Sequence, residues 1–137
     1  MSKLDELIKE LCPDGVKYVE LSEVCELITK GTTPKSYVTD GVAFIKTESF
    51  RNDTIDSGKL MYVDEKTHTV FLKRSMLKEN DILFAIAGSI GKCAIVNKDI
   101  LPANTNQALA IIRLKKIVNL RYIYHILKSN IMAIYIE

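Results

Sequence analysis

Cysteine and histidine are too few and too scattered in this sequence to build a conventional metal or disulfide site. The 137 residues include three cysteines, Cys12, Cys25 and Cys93, without a C-x-x-C pair, and their odd number excludes a complete disulfide framework. His68 and His125 have no Cys, His or carboxylate partner at the spacing of metal ligands. We therefore expect reduced, mostly buried thiols, no bound metal and no cofactor.

Recognisable catalytic motifs are also missing. No glycine-rich nucleotide fingerprint follows a predicted strand. No two prolines are adjacent, although a base methyltransferase would be expected to carry an Asn/Asp-Pro-Pro-aromatic segment. Gly88–Cys93 is not a phosphate-binding P-loop, because Ile86 stands where the first glycine belongs and Cys93 replaces the hydroxyl residue. Its G-x-x-G joins two predicted strands, whereas that of a KH domain joins two helices. We therefore predict a protein without catalytic activity.

Long apolar runs and a strong charge imbalance are absent as well. No apolar run reaches the length that spans a membrane, and Lys3–Glu10 is too charged to be the core of a signal peptide. The formal net charge is only +2, which permits an anionic partner without requiring one. With 47% hydrophobic and 26% charged residues, we expect an ordinary globular protein in the cytoplasm.

The central part of the chain contains the clearest structural signal. Three apolar runs predict strands at Ile82–Ala87, Cys93–Asn97 and Ala108–Leu114, and their continuous apolar character predicts a sheet covered on both faces. A turn bracketed by Gly88 and Gly91 joins the first two strands. A polar connection leads directly into the third. A rigid sheet that presents polar loops is a plausible recognition scaffold.

An amphipathic helix is predicted at the N-terminus. Ser2 and Asp5 have the spacing of a capping box. Apolar side chains follow at helical intervals, at Leu4, Leu7, Ile8 and Leu11. The turn Pro13–Gly15 ends this helix, and a second short helix is predicted from an N-cap at Ser22 to a C-terminal residue at Gly31. Its inward-facing side chains are Val24, Leu27 and Ile28.

Further strands and a long C-terminal helix complete the prediction. The strands are expected at Val16–Glu20, Val42–Lys46, Leu60–Val63 and Val70–Leu72. The helix is expected over Leu120–Ile136, and it is apolar on more than one side, so it needs covering on more than one side. We predict that a partner binds the face formed by Leu120, Ile123, Tyr124, Leu127, Ile131 and Ile134. Because the sequence stops at Glu137 without Gly or Pro, we expect a truncated chain or a helix that packs against a partner.

Basic and amide side chains concentrate in the predicted loops. Lys and Arg neutralise phosphates, while Arg, Asn and Gln make paired hydrogen bonds to base edges. We predict phosphate contacts from Lys30, Lys35, Lys46, Lys73, Arg74 and Lys92. We predict base-edge contacts from Thr33, Ser36, Tyr37, Arg51, Asn52 and Asn104.

Structural roles remain open for several of these residues. The polar segment 29–37 also fits a solvated loop, and the glycines of 88–91 also fit a purely structural hairpin. Asn106 and Gln107 lie closest to the following strand, where their amides can cap its backbone.

The order of these features resembles a target recognition domain from the specificity (S) subunit of type I restriction–modification systems. The resemblance is carried by Lys3–Val24, by Lys30–Pro34 followed by Tyr37, and by Asp81–Leu83 leading to Gly88–Lys92. Asn106-Gln107 before a strand and Tyr122 with Leu127-Lys128-Ser129 in the last helix complete it. Each piece is weak alone, but their order over nearly the whole chain is specific.

This resemblance implies an α/β (α+β) fold, with a twisted β-rich recognition domain, an N-terminal helix and a C-terminal coiled-coil-type helix. It implies a target recognition domain at 1–117 and the start of a spacer or dimerisation helix at 118–137. Such subunits bind double-stranded DNA and lack catalytic activity. Their helices dock methyltransferase (M) subunits, which methylate adenine, and a restriction (R) subunit cleaves unmodified DNA. This chain departs from the pattern by its length, so a fragment, a truncated product or a half-subunit that forms a homodimer is expected.

Two other functions remain open. The chain could be a protein–protein module whose binding surface is the helix at Leu120–Ile136, without independent DNA binding. It could also be a nuclease that uses Asp64 and Lys66.

Overall fold

Two small sheets form the centre of the protein, with a helix outside one of them and an irregular segment outside the other. The computed structural model describes residues 2–15 and 18–129. The helices are α1 (Lys3–Leu11) and α2 (Leu120–Lys128). The strands are β1 (Cys25–Lys30), β2 (Val42–Ile45), β3 (Phe50–Arg51), β4 (Thr54–Ile55), β5 (Met61–Val63), β6 (Ile82–Ala85), β7 (Cys93–Ile95), β8 (Ala103–Thr105) and β9 (Leu109–Leu114). The fold is mixed α+β.

The strand order separates the two sheets and a hairpin. Sheet A has the order β1-β9-β6-β7, and all of its pairings are antiparallel. Sheet B has the order β5-β2-β8, in which β2 runs antiparallel to β5 and parallel to β8. The short strands β3 and β4 form the hairpin, which lies beside β7 through a hydrogen bond from the Ile95 amide to the Asp53 carbonyl oxygen (3.1 Å).

The inner strands β6 and β9 of sheet A are covered on both faces, as their continuous apolar sequences predict. Leu83 of β6 and Ile111 of β9 pack in one cluster with Ala43 and Ile45 of sheet B. On the opposite face, Ile82, Phe84 and Ile112 pack against α2 through Tyr124 and Leu127. The three central strands are thus confirmed, although each is shorter than the apolar run that predicts it.

The segment Cys25–Lys30 corrects the prediction of a second short helix. A single 3₁₀ turn spans Leu21–Val24, and the chain then continues as the strand β1, paired with β9 from Cys25↔Leu114 to Lys30↔Ala110. Glu20, and not Ser22, precedes the turn. Pairing with the apolar β9 outweighs the helical spacing of Val24, Leu27 and Ile28, because local propensity is weak against tertiary contacts.

The predicted strand Val70–Leu72 is wrong as well. Residues Thr67–Phe71 form a π-helical turn, and Lys73–Ser75 form a 3₁₀ turn. Of residues 70–72 only Leu72 is buried, in a cluster with Val42, Phe44 and Val63 on the outer face of sheet B. The strands Val42–Ile45 and Met61–Val63 confirm two of the other predictions. The predicted strand Val16–Glu20 lies partly outside the described residues, and 18–20 is not a strand.

The N-terminal helix α1 forms with the predicted capping box. The Ser2 hydroxyl accepts a hydrogen bond from the Asp5 amide (3.1 Å), and the Asp5 carboxylate accepts one from the Ser2 amide (3.3 Å). The apolar face of α1 is exposed, however, with Leu4 65% and Leu11 71% exposed. Within the described residues this helix has no buried side chain.

One side of the C-terminal helix packs against sheet A, which corrects part of the predicted partner face. Tyr124 is 0% and Leu127 is 4% exposed, and Leu120 and Ile123 are half-buried in the same cluster under sheet A. Tyr124 and Leu127 therefore stabilise this domain and cannot meet a partner in this structure. Ile131 and Ile134, and most of the predicted helix beyond Lys128, lie outside the described residues. The division at residue 118 stays a prediction.

A buried ion pair lies at the end of sheet A where β6 begins. The Arg113 side chain donates to Asp81 through Nε to Oδ1 and through Nη2 to Oδ2, both at 2.8 Å. Asp81 is 0% exposed, and its Oδ2 also accepts from the Lys78 amide at 2.9 Å. The hydrogen bonds to Asp81, and the charge of its carboxylate, raise the pKa of Arg113, because together they outweigh desolvation, which lowers it.

Candidate nucleic-acid interface

Several connections leave the same end of the two sheets, which we call the loop end. In sheet A the pairings Lys30↔Ala110 and Ala85↔Leu109 place there the end of β1, the end of β6 and the start of β9. The connections 31–41, 86–92 and 106–108 therefore begin or finish at this end. In sheet B the parallel pairing Ile45↔Thr105 adds the segment that follows β2. The fold thus gathers loops that are far apart in sequence.

Gly31 brings the two sheets together at the loop end. A Cβ atom at this position would overlap the Thr105 carbonyl and lie 2.6 Å from the Asn106 carbonyl oxygen. Glycine is therefore required by close approach of two backbones, and not by the helix end that the sequence predicts. This contact fixes the root of the 31–41 loop on β8.

Arg74 connects the first of these loops to the segment after the π-helical turn. Its Nη2 atom lies 3.4 Å from the Lys30 carbonyl oxygen and 3.3 Å from the Thr32 hydroxyl, as a donor to both. Nearby, the Thr33 hydroxyl donates to the Gln107 side-chain carbonyl oxygen. Lys30, Thr33 and Arg74 are all exposed, so the structure brings these predicted DNA-binding residues onto one surface.

Aromatic rings position further lysines on this surface. The Lys46 ammonium lies 5.8 Å from the centre of the Tyr37 ring, and Tyr37 packs edge-on against the buried Phe44. Lys35 lies 5.8 Å from the centre of the Phe71 ring. Cation–π contacts of this kind hold ammonium groups in place without neutralising their charge. Lys46 is half-buried, whereas Lys35, Ser36 and Tyr37 are exposed.

A second group of predicted residues surrounds a cleft of about 1100 Å³. Asn52 lines it from the tip of the β3–β4 hairpin, with a φ of 55° that Asn tolerates better than most residues. Lys92 also lines the cleft, directly after Gly91, which has a φ of 96°. Lys128 of α2 also borders the cleft. The hairpin role of the glycines and an exposed Lys92 are therefore compatible.

The titratable groups at this cleft each have a defined protonation state at neutral pH. Hydrogen bonds from Lys128 and from the Tyr124 hydroxyl lower the pKa of Asp53, so its carboxylate is ionised at neutral pH. Burial raises the pKa of Tyr124 and brings that of Cys93 to about 11, so both groups keep their protons. A protonated thiol is a poor nucleophile. The polar side chains at the cleft thus include Lys92, the Asn52 amide and the ion pair of Asp53 with Lys128.

Asn104 is not at the interface, which corrects its assignment as a base-edge residue. It is 0% exposed on β8, and its amide is fully engaged within the protein. Its Oδ1 accepts from the Ser75 hydroxyl (2.6 Å), and its Nδ2 donates to the Leu72 carbonyl oxygen (2.9 Å) and faces His68 Nδ1 (3.2 Å). Buried amides are satisfied in this way because an unpaired one is costly. Asn104 thus ties the segment 67–77 to sheet B.

This buried network predicts a pH-dependent stability. Burial lowers the pKa of His68 below its ordinary 6.5, and the charge of Glu65 offsets this only in part. Below pH 6.5 the unfolded chain binds the proton more readily than the folded one. The free energy of unfolding should therefore fall as pH drops from 6.5 toward the folded pKa, by up to about 1.4 kcal/mol per pH unit. Urea denaturation from pH 7.5 to 5 measures this.

Replacing each of the two histidines separately provides the control for that measurement. His68→Gln should abolish the decline between pH 6.5 and 5, whereas His125→Gln, at an exposed position of α2, should preserve it. Asp53 and Asp64, whose pKa values are lowered from 3.8, affect stability only at more acidic pH. An equal decline in the protein and in His68→Gln would show that another group is responsible.

Asn106 and Asp64 have structural partners. The Asn106 side chain accepts from the Ala108 amide (3.0 Å), as its position before β9 predicts. Asp64 accepts from the Thr67 amide (2.7 Å), and this backbone hydrogen bond lowers its pKa. Asp64 therefore caps the π-helical turn, which argues against its use as a nuclease residue. Among the described residues, no group of three His, Cys, Asp or Glu side chains could hold a metal ion.

The structure also shows residues that were not among the predicted DNA-binding residues. Phe71 and Lys128 lie among those residues through the contacts given above, and no local signal identifies them, because each becomes relevant through a partner far along the chain. Gln107, predicted to cap the following strand, instead accepts a hydrogen bond from the Thr33 hydroxyl. Arg51 and Lys73 are exposed as predicted, Arg51 in the hairpin beside Asn52 and Lys73 beside Arg74. No helix in the part of the chain that the structure describes is long and apolar enough to cross a membrane.

Comparison with known proteins gives a consistent result. Residues 13–135 match the family described as type I restriction modification DNA specificity domain. The specificity subunit of the type I restriction enzyme EcoBI from Escherichia coli is 30% identical over 102 residues, which are 72% of this chain and 21% of that protein. The chain thus spans about a fifth of this relative.

Solved structures show the same fold. The HsdS subunit from Thermoanaerobacter tengcongensis superposes with a TM-score of 0.63 at 17% identity, over 91% of this chain and 32% of that one. A chain from a study of complex assembly and conformational transition in the type I R-M system superposes with a TM-score of 0.56 at 16% identity, over 90% and 31%.

Proposed function

This chain belongs to the family of type I restriction–modification DNA specificity domains, and we propose on that basis that it binds double-stranded DNA sequence-specifically. The observation that supports this most directly is the clustering of exposed basic and amide side chains at the loop end. A rigid scaffold with donors on its loops suits both phosphate positioning and base readout.

The two kinds of contact divide among the residues by their chemistry. Lys30, Lys35, Lys46, Lys73, Arg74 and Lys92 would contact phosphates and fix the position of the domain on the duplex. Thr33, Ser36, Tyr37, Arg51 and Asn52 would contact base edges. Asn104 supports this surface from beneath through Leu72 and Ser75.

The domain would act as the specificity component, or a piece of it, of a type I restriction–modification enzyme, and would perform no chemistry itself. It would place methyltransferase subunits, and through them a restriction subunit, at the target sequence. The raised pKa of Cys93 and the absence of a three-residue metal cluster in the described residues accord with a binding role.

Selection from a randomised duplex library at two salt concentrations tests this function. A short fixed motif should be enriched, and it should persist at the higher salt, because base contacts do not depend on counterion release as phosphate contacts do. Arg51→Ala or Asn52→Ala at a true base contact should relax the motif at one position, at a cost of about 1–3 kcal/mol. Uniform binding that disappears with salt would contradict sequence readout.

A second candidate function is that of an assembly module. Tyr122 is 59% and Ile126 is 37% exposed on the outward side of α2, and the apolar face of α1 is exposed as well. These surfaces favour contact with another protein or a second copy. A mass that rises with protein concentration, together with no selected DNA motif, would favour this function over DNA recognition.

A further inference from the structure

Two adjacent apolar side chains project from the tip of the π-helical turn. Val70 is 66% and Phe71 is 50% exposed, while the residues on either side of them are polar except for the buried Leu72. We call this pair the apolar tip. Exposed apolar groups that sit together on a polar surface often mark a contact with another molecule.

The apolar tip is held rigidly from behind. His68, Leu72 and Ser75 all contact the Asn104 amide, and Leu72 is 1% exposed in the cluster on the outer face of sheet B. Asp64 caps the same turn through the Thr67 amide. The turn therefore cannot fold inward to bury Val70 and Phe71, and their exposure is a fixed property of the structure.

The surroundings of the apolar tip are cationic. Lys35 lies 5.8 Å from the Phe71 ring centre, and Lys73 and Arg74 follow directly in the chain. Arg74 contacts the backbone of Lys30, which brings another lysine to the same area. The carboxylates on this segment are Asp64, which is held by Thr67, and Glu65. This excess of cations favours an anionic occupant over an apolar protein surface.

We infer that the apolar tip contacts the C5 methyl groups of thymine in the major groove, and this inference rests on the proposed function. The thymine methyl is the apolar group on a major-groove edge, and side chains such as Phe contact it. Insertion between base pairs is disfavoured, because Lys35 is placed over the Phe71 ring, where a stacked base would lie. Val70 and Phe71 would thus read A·T pairs by shape rather than by hydrogen bonds.

Deoxyuridine substitution tests this inference, because it removes the methyl group and leaves every hydrogen-bonding group of thymine in place. In the selected duplex, each thymine is replaced in turn and the dissociation constant is measured for the whole chain. At one or two positions the affinity should fall about fourfold, the factor that corresponds to ~0.8 kcal/mol for one buried methyl-sized group. Val70→Ala and Phe71→Ala should remove this sensitivity.

Ile117→Ala provides the matched control, since Ile117 is 94% exposed and follows the end of β9, away from the loop end. This variant should keep the full deoxyuridine effect. Because Val70 and Phe71 are exposed, their variants should unfold at the temperature of the unaltered protein.

The possible failures are distinguishable. A selected motif without thymine, or an enriched motif whose binding ignores deoxyuridine, would overturn the inference and leave the proposed function standing. Bending of the duplex without a deoxyuridine effect would indicate insertion between bases instead. If no motif is selected, the proposed function fails, and this inference fails with it.

Discussion

Replacing Asp81 by alanine should lower the free energy of unfolding by about 3–5 kcal/mol, because it leaves the Arg113 guanidinium without its partner in a mostly buried position. Arg113 donates two hydrogen bonds of 2.8 Å to this carboxylate, and the Lys78 amide donates a third. Urea denaturation at pH 7 measures the loss. The effect is large because the remaining charge keeps its desolvation cost without its compensation.

Two further variants show whether the unpaired charge is the cause. Asp99→Ala removes an exposed carboxylate and should change stability by less than about 0.5 kcal/mol. Combining Asp81→Ala with Arg113→Met should restore part of the stability, because neither charge is then buried alone. The contrary result would be a double variant that is less stable than Asp81→Ala by the whole destabilisation that Arg113→Met causes alone. Lost packing, and not an unpaired charge, would then explain the effect of Asp81→Ala.

Changing Lys35, Lys73 and Lys92 together to alanine should weaken binding to every duplex and flatten its salt dependence. Each phosphate contact contributes about 0.9 to the slope of log K against log salt, so three contacts contribute about 2.7. The ratio of the binding constant of the unaltered protein to that of the triple variant should therefore fall ~40-fold when the salt concentration rises fourfold. Titrations of a fluorescent duplex at several salt concentrations measure both quantities.

The chain offers a control with the same change in charge. Lys78, Lys98 and Lys116 are exposed. They lie near the start of β6 and after the ends of β7 and β9, at the end of sheet A that is opposite to the loop end. Their triple alanine variant should leave the slope within a fraction of a unit of its original value. Equal losses in the two triple variants would show that net charge, and not the loop end, determines DNA binding.

Much of sheet A could be predicted because its strands are apolar without interruption. Leu83 and Ile111 face sheet B while Ile82 and Ile112 face α2, so no alternation appears in their sequence. The edge strand β1 could not be predicted in this way. Leu27 and Ile28 are spaced with Val24 as on a helix, and only the pairing with β9, more than 80 residues later, makes them a strand.

Buried polar side chains were the least predictable part of the molecule. Asn104 lies in a polar segment that is typical of a loop, and its partners Ser75, Leu72 and His68 lie 29–36 residues away in the sequence. Nothing within a local window distinguishes an amide that satisfies such a network from one that faces solvent. The same limit applied to Tyr124, whose hydroxyl meets Asp53 only in the folded protein.

The candidate interface was predictable in its chemistry but not in its geometry. The loops at 30–37 and 73–74 are basic in sequence, yet only the contact of Arg74 with Lys30 and Thr32 shows that they share a surface. Phe71 was missed because it belonged to a predicted strand. Its exposure follows from the irregular turn that Asp64 and Asn104 stabilise.

The close approach at Gly31 has a consequence for altering the target of such a domain. The glycine is locked against Thr105 and Asn106, whereas the residues that follow it, Thr33, Lys35 and Ser36, are exposed. Replacing the exposed residues Thr33, Lys35 and Ser36 together should therefore exchange one specificity for another without remaking the fold, provided that Gly31 and the buried Pro34 are retained. Gly31 thus separates a part of the protein that must be inherited intact from a part that is free to diversify.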